Sequence, residues 1–195
     1  MSENTAVLTE TRGRILLITL NRPEAMNAIN TDLAQGLLAA IEELDSNDGL
    51  TAGVLTGNGR GFCSGMDLKA FAAGGPPKGF DQFLETGSKK PLIAAIEGFA
   101  LAGGLEVALT CDLLVAAKDA KIGIREVKVG LFAAGGALLR LPRRLPYSVA
   151  MEMALTGQPI TSDEAKSYGL VSRVTENGGT IDAALELAEL IAENA

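Results

Sequence analysis

Apolar residues in this chain come in two alternating rhythms, and that alternation limits the fold more than any other property of the sequence. The runs Ile15–Leu20, Ala52–Thr56, Ile93–Ile96, Leu113–Ala116 and Val171–Val174 are too short for helices and read as strands. Between them apolar positions recur at helical spacing. Leu33, Leu37, Ile41 and Leu44 form one stripe of a helix over 31–45, with Asn30-Thr31-Asp32 supplying the cap. The same reasoning places helices at 102–109, 135–141, 146–156, 162–168 and 181–193. Ala6–Thr9, a turn at Arg12-Gly13-Arg14 and Ile15–Leu20 read as a hairpin, which suits a sheet edge. Strands alternating with helices build an α/β layered core. Ala72 to Gly79, with Gly74-Gly75-Pro76-Pro77, reads as one mobile loop inside a single domain spanning residues 1–195.

Several chemistries are excluded by what the chain lacks. It has no histidine, so Ser-His-Asp and Cys-His nucleophiles and His-ligated metal sites are out, leaving proton transfer to carboxylates, Lys, Tyr, Cys or water. A net charge of −7 argues against nucleic-acid and anionic-membrane partners, though a local basic cluster can still hold a small anion. Cys63 and Cys111 have no Cys-x-x-Cys spacing and read as buried thiols of a reducing compartment. The apolar region Leu92–Ala117 carries Glu97, Glu106 and Asp112, which a membrane span tolerates poorly. Met1 to Thr5 do not begin a signal peptide, so the expected location is cytoplasmic.

Four segments are candidates for chemistry. Gly57-Asn58-Gly59-Arg60-Gly61 follows a strand as a phosphate loop does, but Phe62-Cys63-Ser64-Gly65 comes next where a helix should open, so a tight turn is the better reading. Gly103-Gly104 at a helix start either lets a ligand approach free backbone N–H groups or lets the helix pack closely on a sheet. Glu106 sits among apolar residues; it lies on a solvated helix face or, pointing inward, has a raised pKa suited to proton exchange near neutrality. Glu126, in Ile124-Arg125-Glu126-Val127-Lys128, taken alone is part of a solvated charged loop. Twenty positions separate the two glutamates, so only the fold can bring them together.

Taken in order, longer motifs resemble the crotonase, or enoyl-CoA hydratase/isomerase, superfamily. They are Leu20-Asn21-Arg22-Pro23-Glu24-Ala25-Met26-Asn27-Ala28, Gly61-Phe62-Cys63-Ser64-Gly65-Met66-Asp67-Leu68, Lys90 to Gly98 and Ala100 to Glu106. Cys111-Asp112, Arg125-Glu126-Val127, Gly135-Gly136, Arg140-Leu141-Pro142 and Ala165 to Val171 complete a resemblance that covers about residues 6–175. It implies a ββα superhelix binding acyl-CoA thioesters, with an oxyanion hole made of the backbone N–H groups of Met66 and Gly103. It carries over Glu106 and Glu126 as the catalytic acids and Ser64, Asp67 and Leu68 as substrate-binding positions, backbone groups near Ser64 and Leu68 meeting the CoA adenine. The implied reaction is hydration of a 2-enoyl-CoA, Glu106 activating water for attack at Cβ and Glu126 protonating Cα. No metal and no cofactor are implied, since coenzyme A belongs to the substrate, and the implied assembly is a homotrimer or hexamer.

This chain departs from the family pattern in three places. Arg125 replaces a common proline, Ala102 stands where the first glycine of a triple is common, and the sequence stops where relatives continue into further C-terminal helices. Ile181, Ala184, Leu185, Leu187, Ala188 and Ile191 give the last helix a wide apolar face, which the sequence leaves with no following helix to cover it. The expectation is therefore a truncated form of a longer chain, or a short variant covered by its neighbours in an oligomer. Other readings are an isomerase or a 3-hydroxyacyl-CoA dehydratase of the same family, and a catalytically silent acyl-CoA-binding or scaffold protein.

Overall fold

A computed structural model describes residues 6–194; Met1 to Thr5, which carry the expectation of no signal peptide, and Ala195 lie outside the described residues. The chain opens with the expected hairpin, β1 (Val7–Arg12) and β2 (Ile15–Leu20), followed by α1 (Thr31–Ser46) and β3 (Ala52–Gly57). Then come α2 (Leu68–Gly74), α3 (Phe80–Thr86), β4 (Leu92–Ile96), β5 (Phe99–Leu101), α4 (Gly103–Ala108), β6 (Leu113–Ala117) and β7 (Lys121–Gly123). The rest is α5 (Ala137–Arg144), α6 (Tyr147–Thr156), β8 (Ile160–Thr161), α7 (Ser162–Ser167), β9 (Arg173–Thr175) and α8 (Thr180–Ala192).

Six strands form one sheet in the order β1-β2-β3-β4-β6-β9, parallel except for the β1–β2 hairpin. The central strands β2, β3, β4 and β6 read as largely apolar runs because both faces are covered, whereas the edge strand β1 is exposed from Leu8 to Arg12. Leu16, Ile18 and Leu20 point into the larger core with α1, whose Leu33, Leu37, Ile41 and Leu44 are buried there. Ile15 and Leu17 point the other way, joining Val54, Ile93 and Val115 beneath α8. Asn30 starts α1 as expected, its side chain accepting from Leu33 N at 2.9 Å.

A smaller sheet, β5-β7-β8, stands beside the first, with β5 and β7 parallel. After β4 the chain places a short strand, β5, in this sheet and then turns into α4. After β6 it repeats the step with β7 and a 3-10 turn at Glu126–Val129. This is the ββα stacking that the resemblance implied.

Two expectations change. The apolar face of α8 is not bare: Ala184, Leu185 and Ala188 are buried against β3, β4 and β6, so the sheet itself is the partner that the sequence did not reveal. The stretch taken as one loop from Ala72 is helical through Gly74, because Asp67 caps α2 by accepting from Ala70 N at 3.2 Å. No helix among the described residues is long and apolar enough to cross a membrane.

Asn27 ties the first loop to the segment after β3. It is fully buried at φ 53°, in the left-handed region that Asn tolerates better than most residues. Its Oδ1 accepts from Arg22 N at 2.8 Å, and its Nδ2 donates to Asn58 O and Gly61 O, both at 2.9 Å. Asn27→Ala strands three backbone groups, and the expected outcome is a loss of about 2–4 kcal/mol. Urea denaturation checks it: the midpoint falls at unchanged slope.

Candidate active site

The Met66 and Gly103 N–H groups come together because two segments approach with no side chain between them. The residue Cys63 bridges to Ala100 of β5 in parallel, so the chain after Cys63 runs alongside the turn from β5 into α4. Gly65 has φ 106°, and a Cβ there would lie 2.9 Å from the Ala102 Cβ and 3.1 Å from Gly103 N. Only glycine fits. A Cβ built on Gly103 would in turn lie 3.4 Å from Met66 N. Neither Met66 N nor Gly103 N donates to an acceptor among the described residues, although their neighbours Gly65 O, Asp67 N and Ala102 N are all engaged.

The two readings of Gly103-Gly104 are divided between the two residues. Gly104 serves packing, since a Cβ there would lie 2.2 Å from Cys63 O, whereas Gly103 lines the cavity. Ala102 takes φ 52° and ψ −130°, a conformation glycine adopts freely and alanine does not. It is held there by Ala102 N donating to Gly123 O at 2.8 Å.

Both glutamates line one cavity of about 1340 Å³ with Met66 and Gly103. Glu106 is not on a solvated face: it is 6% exposed, in the first turn of α4. Its Oε1 accepts from Ala137 N at 3.2 Å. Burial pushes its carboxyl up to about 7, with the charge of Glu126 pushing the same way, while the backbone N–H groups of Ala137 and Gly135 and the Arg140 charge pull it down. Glu126 opens the 3-10 turn after β7 and is half-buried. Burial raises its carboxyl too, against its own backbone N–H and that of Arg125, and its Oε2 is buried with no hydrogen-bond partner. Arg125 has φ −116°, which proline cannot take, so the residue before Glu126 leads into the turn in its own way.

The carried-over binding positions separate. Ser64 and Leu68 line the cavity. Asp67 is absent from its wall: besides capping α2 its carboxylate pairs with Arg22 Nη2 at 3.3 Å. Phe71, Phe80, Leu84, Phe132 and Leu139 make an apolar wall that the sequence did not single out. The Ala137 N–H was missed as well; its only signal was the neighbouring Gly135-Gly136 pair. Cys63 and Cys111 are buried thiols, as expected, each pushed up to about 12 by burial. Among the described residues no group of Cys, Asp and Glu is arranged to hold a metal ion.

Paired N–H donors facing the same space as two raised carboxyls can stabilise an oxyanion while protons move. Comparison with known proteins gives the family. The family model for enoyl-CoA hydratase/isomerase matches residues 10–195. The crystal structure of an enoyl-CoA hydratase from Mycobacterium tuberculosis H37Rv aligns with a TM-score of 0.92 and 52% identity, over 96% of this chain and 76% of that one. Another enoyl-CoA hydratase of Mycobacterium tuberculosis is 41% identical over 199 residues, covering 96% of this chain and 74% of the relative. The (E)-benzylidenesuccinyl-CoA hydratase of Thauera aromatica is 40% identical over 200 residues, covering 97% and 77%.

The burial of Glu106 has a stability signature. A carboxyl raised in the folded state binds its proton more tightly there than in the unfolded chain. Relative to a neutral isostere, the protein therefore loses stability as pH rises from the ordinary value of 4.5 toward 7, with no further loss above that. Glu106→Gln removes this penalty. The expected result is a variant more stable than the parent by roughly 3 kcal/mol at pH 8 and about equally stable at pH 4, read from denaturation at the two pH values.

Proposed function

This chain belongs to the enoyl-CoA hydratase/isomerase family, with its α/β crotonase fold, and from that premise we propose that it adds water across the double bond of a 2-enoyl-CoA to give a 3-hydroxyacyl-CoA. One observation carries the reading: two carboxyls of raised pKa line the same cavity as two unpaired backbone N–H groups. The hydratases among its relatives support it.

In this mechanism the thioester carbonyl oxygen accepts from Met66 N–H and Gly103 N–H. As water attacks Cβ, electrons move through the conjugated system and negative charge gathers on that oxygen. Fixed donors stabilise such charge more than they stabilise the neutral carbonyl, and each is worth on the order of 10²–10³ in rate. Glu106 takes the proton from water and Glu126 gives one to Cα. The charge of Glu126 disfavours a second charge on Glu106, so one carboxyl of the pair can stay protonated while the other is ionised, which supplies a base and an acid together near neutral pH. Gly135 and Ala137 N–H groups favour the ionised form of Glu106, and the unpartnered Oε2 of Glu126 suits a protonated acid.

Coenzyme A is held, in this reading, by backbone groups near Ser64 and Leu68, and the wall formed by Phe71, Phe80, Leu84 and Phe132 receives the acyl chain. The homotrimer or hexamer is part of the same proposal. Phe132 and Leu139, 71% and 69% exposed, are the kind of side chains an adjoining subunit covers.

Loss of the enoyl-thioester absorbance of crotonyl-CoA tests the activity. Glu106→Gln and Glu126→Gln should each lower turnover at least about 100-fold and change CoA-ester affinity much less. Near-normal turnover in either variant removes the two-glutamate mechanism; binding without turnover in the parent protein makes it a silent acyl-CoA binder. The backbone role of Met66 has its own check. Met66→Ala keeps the N–H and most of the activity, whereas Met66→Pro deletes the donor and should abolish it. Equal losses would assign the effect to the side chain.

A further inference from the structure

Arg140, in the first turn of α5, is spent on backbone rather than on an acid. Its Nη2 donates to Leu84 O and to Glu85 O, the latter at 3.0 Å, and its Nη1 donates to Gly135 O at 3.4 Å. Leu84 and Glu85 lie in the last turn of α3, where carbonyls lack partners within the helix. Gly135 begins the turn whose Ala137 N–H reaches Glu106. One guanidinium thus joins the end of a cavity-wall helix to the turn that holds a carboxylate.

The two glycines of that turn are small for opposite reasons. A Cβ on Gly135 would lie 2.5 Å from Glu106 Oε2. A Cβ on Gly136, whose φ is 104°, would lie 2.1 Å from Arg140 Nη1. The oxygen of the peptide between them accepts from Arg140, and the N–H groups on either side of it, those of Gly135 and Ala137, bond the Glu106 carboxylate. Any drift of this turn moves the Ala137 N–H off Glu106.

We propose that Arg140 is a positioning residue for Glu106: it fixes the 135–137 turn against α3 so that the carboxylate stays hydrogen-bonded and aimed at the reacting water. The role of the water rests on the hydratase reading; the fixing of the turn by Arg140 does not. Leu84 is both a carbonyl partner of Arg140 and part of the apolar wall, so contacts of the acyl chain with α3 and the placement of Glu106 are mechanically joined.

Arg140 also acts through charge, pulling the Glu106 carboxyl back toward its ordinary range. The charged groups facing the same cavity are Glu126 and Lys128 of the 3-10 turn, Arg125 just before it, Asp81 and Glu85 of α3, and Arg143 of α5. Of these, Glu126 acts on Glu106 in the opposite sense to Arg140. Lysine at position 140 would keep the charge but cannot reach three carbonyls with one planar fork.

Two readouts test this. One is the steady-state kinetics of Arg140→Met and Arg140→Lys on crotonyl-CoA, each alone and combined with Glu106→Gln. The other is a carbon-13 NMR titration of the glutamate carboxyls, with the Glu106 signal assigned by its loss in Glu106→Gln. Arg140→Met should lower kcat about 10–100-fold with KM within about threefold, since small misplacement of a reacting group costs rate more than binding. It should shift the Glu106 titration upward. Arg140→Lys keeps the charge but holds the turn less firmly, so it should recover part of kcat and raise the titration less than Arg140→Met does. In the Glu106→Gln background neither substitution should lower kcat further. An unchanged Glu106 titration in Arg140→Met, or a full additional loss of kcat in the Glu106→Gln background, overturns the proposal. If Arg140→Met fails to fold, Arg140→Lys decides by the same kcat and additivity criteria. If the parent shows no turnover but the charge-keeping Arg140→Lys still raises the Glu106 titration, the hydratase reading falls and the positioning of Glu106 stands.

Discussion

The register of the small sheet is the constraint on which the site depends. Leu101 of β5 lies opposite Gly123 of β7, and Cys63 bridges to Ala100 on the other side of β5. All three segments run parallel, so their carboxyl ends leave the sheet at one level. Met66 follows Cys63, Gly103 follows Leu101 and Glu126 follows Gly123 by two or three residues each. Three groups distant in sequence thereby reach one cavity. A slip of one residue would displace any of them by about 3.3 Å, further than a hydrogen bond allows. Ligand sites at the carboxyl ends of parallel strands are a general outcome of α/β topology, and here a sheet of only three strands achieves it.

Around this frame the charges are arranged at some expense to the fold. Glu106 is buried among apolar residues, where ionisation is unfavourable, and its neighbour Glu126 makes ionisation harder still. The compensation is local: two backbone N–H groups of one turn and one nearby guanidinium. The turn is small because glycine occupies both positions where a methyl group would collide with either the carboxylate or the guanidinium.

How much of this was legible depended on length and burial. Ile15–Leu20, Ala52–Gly57 and Leu92–Ile96 were readable because strands buried on both faces show unbroken apolar runs. The strands β5, β7 and β8 were not, being three residues or fewer and including Lys121 and Gly123, which carry no strand signal. α2 and α3, seven residues each, were missed for a similar reason. Residue types alone left Glu106 and Glu126 in competition with solvated surface, and the ordered motifs of the resemblance singled them out. What puts them in one cavity is the pairing of β5 with β7, which no local pattern records. Asp67 shows the opposite limit. It matched a motif, yet its carboxylate is occupied by a helix cap and by Arg22. The apolar face of α8 was legible as a face, but its partner was the far side of a sheet assembled from four distant segments.

Ala102 gives the site a particular fragility. Its backbone is kept in an unfavourable conformation by a hydrogen bond to Gly123 across two strands of three residues each. Local strain of this kind, on the order of 1–3 kcal/mol, is released as soon as that pairing opens. The large sheet, with α1 on one face and α8 on the other, has no share in the release. Gentle heating would then part the Ala102-Gly103 turn from its neighbours while most of the core remained folded. Inactivation and melting would become separate events, with the alanine methyl group setting part of the gap between them.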